Sequence, residues 1–250
     1  MRRRLALCVL AALAGCGDDA TVSGGGDKPE LVVSAASSMT EALTACAPDF
    51  PEATVRLQFA GSDELAAQIR QGVPVDVFAA ANTKLPEELA REGKLGEPVV
   101  FASNRLVLAV PADCAVDSLT ALERSDVTLV IGAEGVPVGD YTRGVLERLG
   151  PERSKAILAN VRSNEPDVKG IVGKLTQGAA DAGFVYASDV QATGGDLRAI
   201  ELPAALEPKA TYGAGVVEAA KQPDAAEAFV DDLAAGGCHR ALLEAGFGEP

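Results

Sequence analysis

The stretch Leu31-Val32-Val33-Ser34-Ala35-Ala36-Ser37-Ser38-Met39-Thr40-Glu41-Ala42-Leu43 limits the possible folds more than any other part of this chain. Leu31 to Ala35 is apolar and β-branched, and reads as a short buried strand. Ser37 and Ser38 then open a helix, and Glu41 stands three residues after Ser38, the spacing of a capping box. A strand that runs straight into a helix turns several free backbone N–H groups towards one point. The positive end of the helix dipole is aimed there too. Such a point holds an anion with no Lys or Arg nearby, although an ordinary capped helix reads the same way.

The device recurs along the chain. Ala53 to Phe59 alternates as a strand does, and Gly61-Ser62-Asp63 leads into helical spacing over Glu64 to Gln71. Val73 to Ala81 reads as a third strand, followed by a helix over Lys84 to Glu92. Later come strands at Val127–Ile131, Ile157–Val161, Ala182–Tyr186 and Leu197–Leu202, with helices expected at Tyr141–Leu149, Val168–Gln177 and from Ala187. Strand alternating with helix predicts an α/β chain of mostly parallel sheets covered on both faces. Two long apolar strands, Arg105–Val110 and Ala210–Val217, lack matching helices and are expected to cross between two lobes. Lobe one is then residues 29–110 plus 210–250, closed by helices over Asp224–Ala235 and His239–Ala245, and lobe two is 111–209. Two lobes joined by two crossings form a cleft that can close on a ligand.

The first fifteen residues stand outside this pattern. Arg2 to Arg4 and the apolar run Leu5–Leu13 form the n- and h-regions of an export signal. Leu13-Ala14-Gly15-Cys16 resembles a bacterial lipobox, so residues 1–15 are expected to be removed and Cys16 lipidated. Residues 16–28 are polar and Gly-rich, a flexible tether. The expected location is the periplasm or the outer face of the cell membrane. Cleavage removes three Arg and no acid, leaving 19 basic and 36 acidic residues and a net charge of −17. That balance argues against nucleic acid as a partner. Cys46, Cys114 and Cys238 remain in a compartment that permits one bridge, and the sequence does not choose the pair.

Most catalytic chemistry is missing. The single His, His239, lies in the C-terminal helical region, so no Ser-His-Asp or Cys-His arrangement is available. There is no zinc spacing, no phosphate-binding P-loop and no GxGxxG. What the chain offers instead is neutral donors at helix starts: Ser37/Ser38, Ser62, Val138/Gly139, Val168 and the region of Tyr186.

Taken in order, several segments resemble the solute-binding proteins of bacterial molybdate ABC importers. They are Val33–Leu43, Phe59-Ala60-Gly61-Ser62-Asp63-Glu64-Leu65, Gly72–Ala81, Val136-Pro137-Val138-Gly139-Asp140-Tyr141, Glu165-Pro166-Asp167-Val168-Lys169-Gly170 and Gly183–Asp189. The resemblance spans roughly residues 30–248. It implies the two-lobed periplasmic-binding-protein fold of type II and a molybdate or tungstate ligand, with no cofactor and no direct metal coordination. It also implies an ABC permease and its ATPase as partners and a monomeric receptor that is not an enzyme, held at the membrane by the lipid expected on Cys16. Carried over by position, Ser38 and Ser62 each give a hydroxyl and an N–H. Val138 and Val168 give backbone N–H groups, and Tyr186 gives its phenolic O–H. Gly61 stands where the family often has a second Ser, and Glu165 and Asp167 stand where some relatives add a carboxylate to the metal centre. The competing readings are a sulfate or phosphate receptor on the same fold and, further off, an exported hydrolase.

Overall fold

The computed structural model describes residues 28–250. The expected leader, tether and lipidated Cys16 lie outside the described residues. Two five-stranded sheets form the framework. The first holds β1 (Glu30–Ala36), β2 (Thr54–Ala60), β3 (Val77–Ala80), β4 (Val99–Asn104) and, from far along the chain, the strand Ala210–Val216. The second holds β5 (Leu106–Pro111), β6 (Leu129–Gly132), β7 (Val161–Glu165), β8 (Ala182–Tyr186) and β9 (Leu197–Glu201). With Ala210–Val216 as β10, the orders are β2-β1-β3-β10-β4 and β7-β6-β8-β5-β9. In each sheet one strand, β10 or β5, runs against its neighbours, while β2-β1-β3 and β7-β6-β8 are parallel. The sheets are therefore mixed, with a parallel core on the side that leads into helices.

Those helices are α1 (Thr40–Cys46), α2 (Ser62–Arg70), α3 (Lys84–Arg91), α4 (Pro137–Arg148), α5 (Pro151–Leu158), α6 (Val168–Thr176), α7 (Ala187–Ala192), α8 (Pro223–Ala235) and α9 (Gly237–Glu244). Strands β1 and β3 are buried on both faces, which explains their near-continuous apolar runs. On one side of the first sheet Leu65, Ile69, Leu85 and Leu89 of α2 and α3 pack on Phe78. On the other, α1, α8 and α9 bring Leu43, Phe229 and Leu242 to the main core.

Several expected boundaries change. The apolar run to Val110 is two strands, split at Arg105: β4 pairs in the first sheet and β5 in the second. The chain thus leaves the first sheet at residue 105 rather than after 110, and the polar Ser103-Asn104-Arg105 stands at the crossing between the two apolar runs. The strand expected at Ile157–Val161 is instead the end of α5 (Ile157, Leu158) and a turn at Ala159 and Asn160, and β7 starts at Val161. Gly150 at φ +89° and Pro151 in the first turn start that helix, a signal masked by its short apolar face. Helix α4 starts at Pro137, four residues before Tyr141, again with Pro in the first turn. The strand expected from Val73 is confined to Val77–Ala80.

The capping box at Ser38 does not form. Ser37–Met39 is a 3-10 turn preceding α1, and neither it nor α1 has a side-chain cap. Ser38 and Glu41 make other contacts, described below.

Cys46 and Cys238 are bridged, with Cα atoms 5.1 Å apart, and Cys114 is free. The bridge fastens α9 to the end of α1 across 192 residues of chain. Replacing both cysteines by Ser is expected to lower the unfolding free energy by about 2–5 kcal/mol in denaturant titrations. A reductant should shift the wild-type midpoint likewise and leave the double variant unmoved.

Candidate functional site

Parallel strands of an α/β sheet deliver their ligand sites at their carboxyl ends, where the chain turns into helices. Here the carboxyl ends of the two parallel cores face one another. β1 leads to Ser37 and Ser38, β2 to Gly61 and Ser62, β6 to Val136–Val138, β7 to Asp167 and Val168, and β8 ends at Tyr186. All five residues singled out from the sequence line one cavity between the lobes. The cavity is far smaller than the pockets that take drug-sized ligands, so it suits a small compact ion.

No Lys or Arg lines it. Ser38, Ser62, Val138, Val168 and Tyr186 are all buried. Ser62 is the first residue of α2, Val138 the second of α4 and Val168 the first of α6, so their N–H groups have no acceptor within their own helices. Ser62 Oγ accepts the Ala81 N–H at 3.1 Å, which leaves the Ser62 proton for the cavity. The Tyr186 hydroxyl is buried and has no hydrogen-bond partner among the described residues. Burial holds its pKa well above the ordinary phenol value, so it remains a donor at physiological pH. The wall is therefore built of donors, which matches a fully deprotonated anion.

The nearby acids are engaged elsewhere. Asp167 Oδ1 caps α6 by accepting the Gly170 N–H at 2.9 Å, and Glu165 pairs with Lys174 at 3.0 Å. His239 does not line the cavity; its Nε2 lies 3.4 Å from Glu249.

Three features escaped sequence reasoning. Tyr212 on β10 is wholly buried and bonds Ser38 Oγ at 3.0 Å. Lys169, beside Val168, reaches across the cleft to both Glu41 oxygens at 2.8 Å and lies 3.2 Å from buried Asp189. Burial disfavours the Lys169 ammonium, but Asp189 and Glu41 outweigh it and its pKa is raised. Gly61 lies so close to Pro166 of the other lobe that a β-carbon would collide with the Pro166 carbonyl. Only the last had a visible sign, a Gly where the resembling family often has Ser.

The matched family model is that of the bacterial extracellular solute-binding proteins, over residues 31–248. The chain belongs to that family. Among solute-binding proteins it is 32% identical to the molybdate-binding protein ModA of Mycobacterium tuberculosis, over 97% of this chain and 95% of the relative. It is 29% identical to ModA of Escherichia coli, covering 77% of this chain and 79% of that protein. The substrate-binding domain of a putative molybdenum ABC transporter from Clostridium difficile superposes with a TM-score of 0.67 at 28% identity, covering 89% of this chain and all of that one. The periplasmic molybdate-binding protein of Azotobacter vinelandii superposes with a TM-score of 0.78 at 22% identity, covering 88% of this chain and 99% of that one; at that identity it shows the fold alone.

Two outcomes are expected. Gly61→Ala keeps the fold but holds the lobes apart, and calorimetry with the best-bound anion should record an affinity at least about tenfold lower. Asp189 has its pKa pushed up from 3.8 to about 6 by burial, against the pull of Lys169. Its contribution to stability is thus present below about pH 4 and lost as the pH rises through about 6. Relative to wild type, Asp189→Asn should gain stability over that window in thermal unfolding.

Proposed function

We propose that the chain is the substrate-binding receptor of a molybdate/tungstate ABC importer. The observation that carries this reading is a cation-free cavity, walled by hydroxyl and N–H donors from both lobes, in a chain whose relatives bear the name molybdate-binding protein. The lobes close on one tetrahedral oxyanion. Ser38 and Ser62 offer hydroxyl and N–H, Val138 and Val168 offer N–H, and Tyr186 offers its phenol. The metal is held through its oxygens and no protein atom coordinates it. The closed receptor then docks on a permease driven by an ATPase, and it does no chemistry on its cargo.

Closure and release are the working cycle. Residues 105 and 202–209, where the chain passes between sheets, form the hinge, and the lobe division follows the sheets. Cys16 carries the lipid that keeps the receptor at the membrane, a reading supported by a Bacillus subtilis relative, 26% identical over 91% of this chain and 90% of its own length, whose name is putative ABC transporter substrate-binding lipoprotein. The receptor works as a monomer in the periplasm or on the outer face of the cell membrane.

Discrimination follows from size and proton count. Donors set for long metal–oxygen bonds leave sulfate with stretched hydrogen bonds. Hydrogen phosphate brings a proton that needs an acceptor, and the wall offers one carboxylate, Asp167, whose Oδ1 caps α6 through the Gly170 N–H, so phosphate is included among the anions tested.

Calorimetry of the purified mature chain with molybdate, tungstate, sulfate and phosphate tests the reading. One molybdate or tungstate per chain is expected, about a hundredfold or more tighter than sulfate, a difference of ~2.8 kcal/mol. Ser62→Ala should weaken molybdate binding by about ten- to a hundredfold, as loss of a hydrogen bond to a charged group does. Sulfate heat without molybdate heat overturns the assignment.

A further inference from the structure

Tyr212 stands behind the cavity rather than in its wall. Its ring packs edge-on against Tyr186, Phe101 and Phe247, with centroids 5.8, 6.2 and 5.2 Å apart. Its hydroxyl meets Ser38 Oγ at 3.0 Å, and in such a pair either oxygen can be the donor. The direction matters. If Ser38 donates to the phenol, it turns lone pairs towards the cavity and repels an anion. If the phenol donates to Ser38, the serine proton is left for the anion.

The two hydroxyls are not equal partners. A phenol is the stronger acid and hence the better donor, and an alkyl hydroxyl the better acceptor, so the phenol proton goes to Ser38. The Tyr186 hydroxyl makes no hydrogen bond among the described residues and does not compete for it. Ser62 shows the same arrangement in simpler form, with the Ala81 N–H donating to its oxygen from behind.

We infer that Tyr212 is a positioning residue, whose phenol donates to Ser38 Oγ and so fixes the Ser38 hydroxyl as a donor into the cavity. This rests on the oxyanion reading of the cavity and names how one of its donors is oriented. Burial keeps the phenol protonated, its pKa well above the ordinary value, so the bond holds at physiological pH.

The test is a double-mutant cycle: tungstate affinity by calorimetry for wild type, Tyr212→Phe, Ser38→Ala and the double variant. A role in packing adds independently of Ser38, whereas a role through Ser38 disappears with it. Tyr212→Phe is expected to weaken binding by about five- to tenfold with Ser38 present and by less than about twofold in the S38A chain. Equal penalties in both backgrounds, or wild-type affinity in Tyr212→Phe, overturn this inference while leaving the receptor reading intact. A wild-type chain that binds neither tungstate nor molybdate overturns both.

Discussion

A dianion in a cavity without a lysine or arginine is stable only if every donor around it is oriented before it arrives. In water the ion is fully solvated, so loosely held hydroxyls and amides would gain nothing over the solvent they replace. The two parallel strand cores meet this requirement with backbone geometry. Each strand ends at the cavity and the next helix begins there, so the N–H groups of Ser62, Val138 and Val168 are aimed by the same hydrogen-bonded framework that holds the sheets. Moving one of them means moving a helix. This also resolves the apparent conflict between an acidic chain and an anionic ligand: all the acids but Asp167 lie away from the wall, and the backbone and hydroxyl donors there present partial positive charge.

Backbone donors carry fixed direction, but hydroxyls do not, and the structure treats them separately. Ser62 is fixed by the Ala81 N–H and Ser38 by Tyr212. Tyr186 is fixed by packing and by its own backbone, whose N–H is taken by Asp189 Oδ2 at 3.2 Å. Asp189 in turn lies by Lys169, and Lys169 reaches Glu41 in the other lobe. Lys169, the residue after Val168, is thus spent on closing the cleft rather than on the ligand. A lysine turned inward would bind any anion of the right charge, and selectivity by size would suffer.

Much of this was legible in the sequence, and the legible part has a common cause. A short apolar run followed by small residues and a helical period is a local pattern, so the strand–helix units around Ser38, Ser62, Val168 and Tyr186 could be placed from it. The missed parts depend on contacts between distant residues. The polar Ser103-Asn104-Arg105 interrupts the apolar run at the crossing, but a polar break also fits a bend within one strand; only the pairing to different sheets separates the two strands. The helix Pro151–Leu158 was hidden because its one wholly buried apolar side chain is Ile157, too little for a period. The capping box at Ser38 was locally correct and lost to a tertiary partner, Tyr212, 174 residues away. Sites are where such local rules are expected to fail.

The same reasoning explains why Gly61 differs from the serine that the resembling family often carries there. A second hydroxyl would add a donor, but a side chain at that position meets the Pro166 carbonyl of the other lobe. A donor gained at 61 would therefore be offset by a wider cleft, and every donor from lobe two would sit farther from the ion. Hydrogen-bond strength falls steeply with distance and misalignment, whereas one extra bond adds only once. With six lobe-two residues at the wall, Val138, Val168 and Tyr186 among them, close approach of the lobes outweighs one more hydroxyl, and glycine is the residue that permits it.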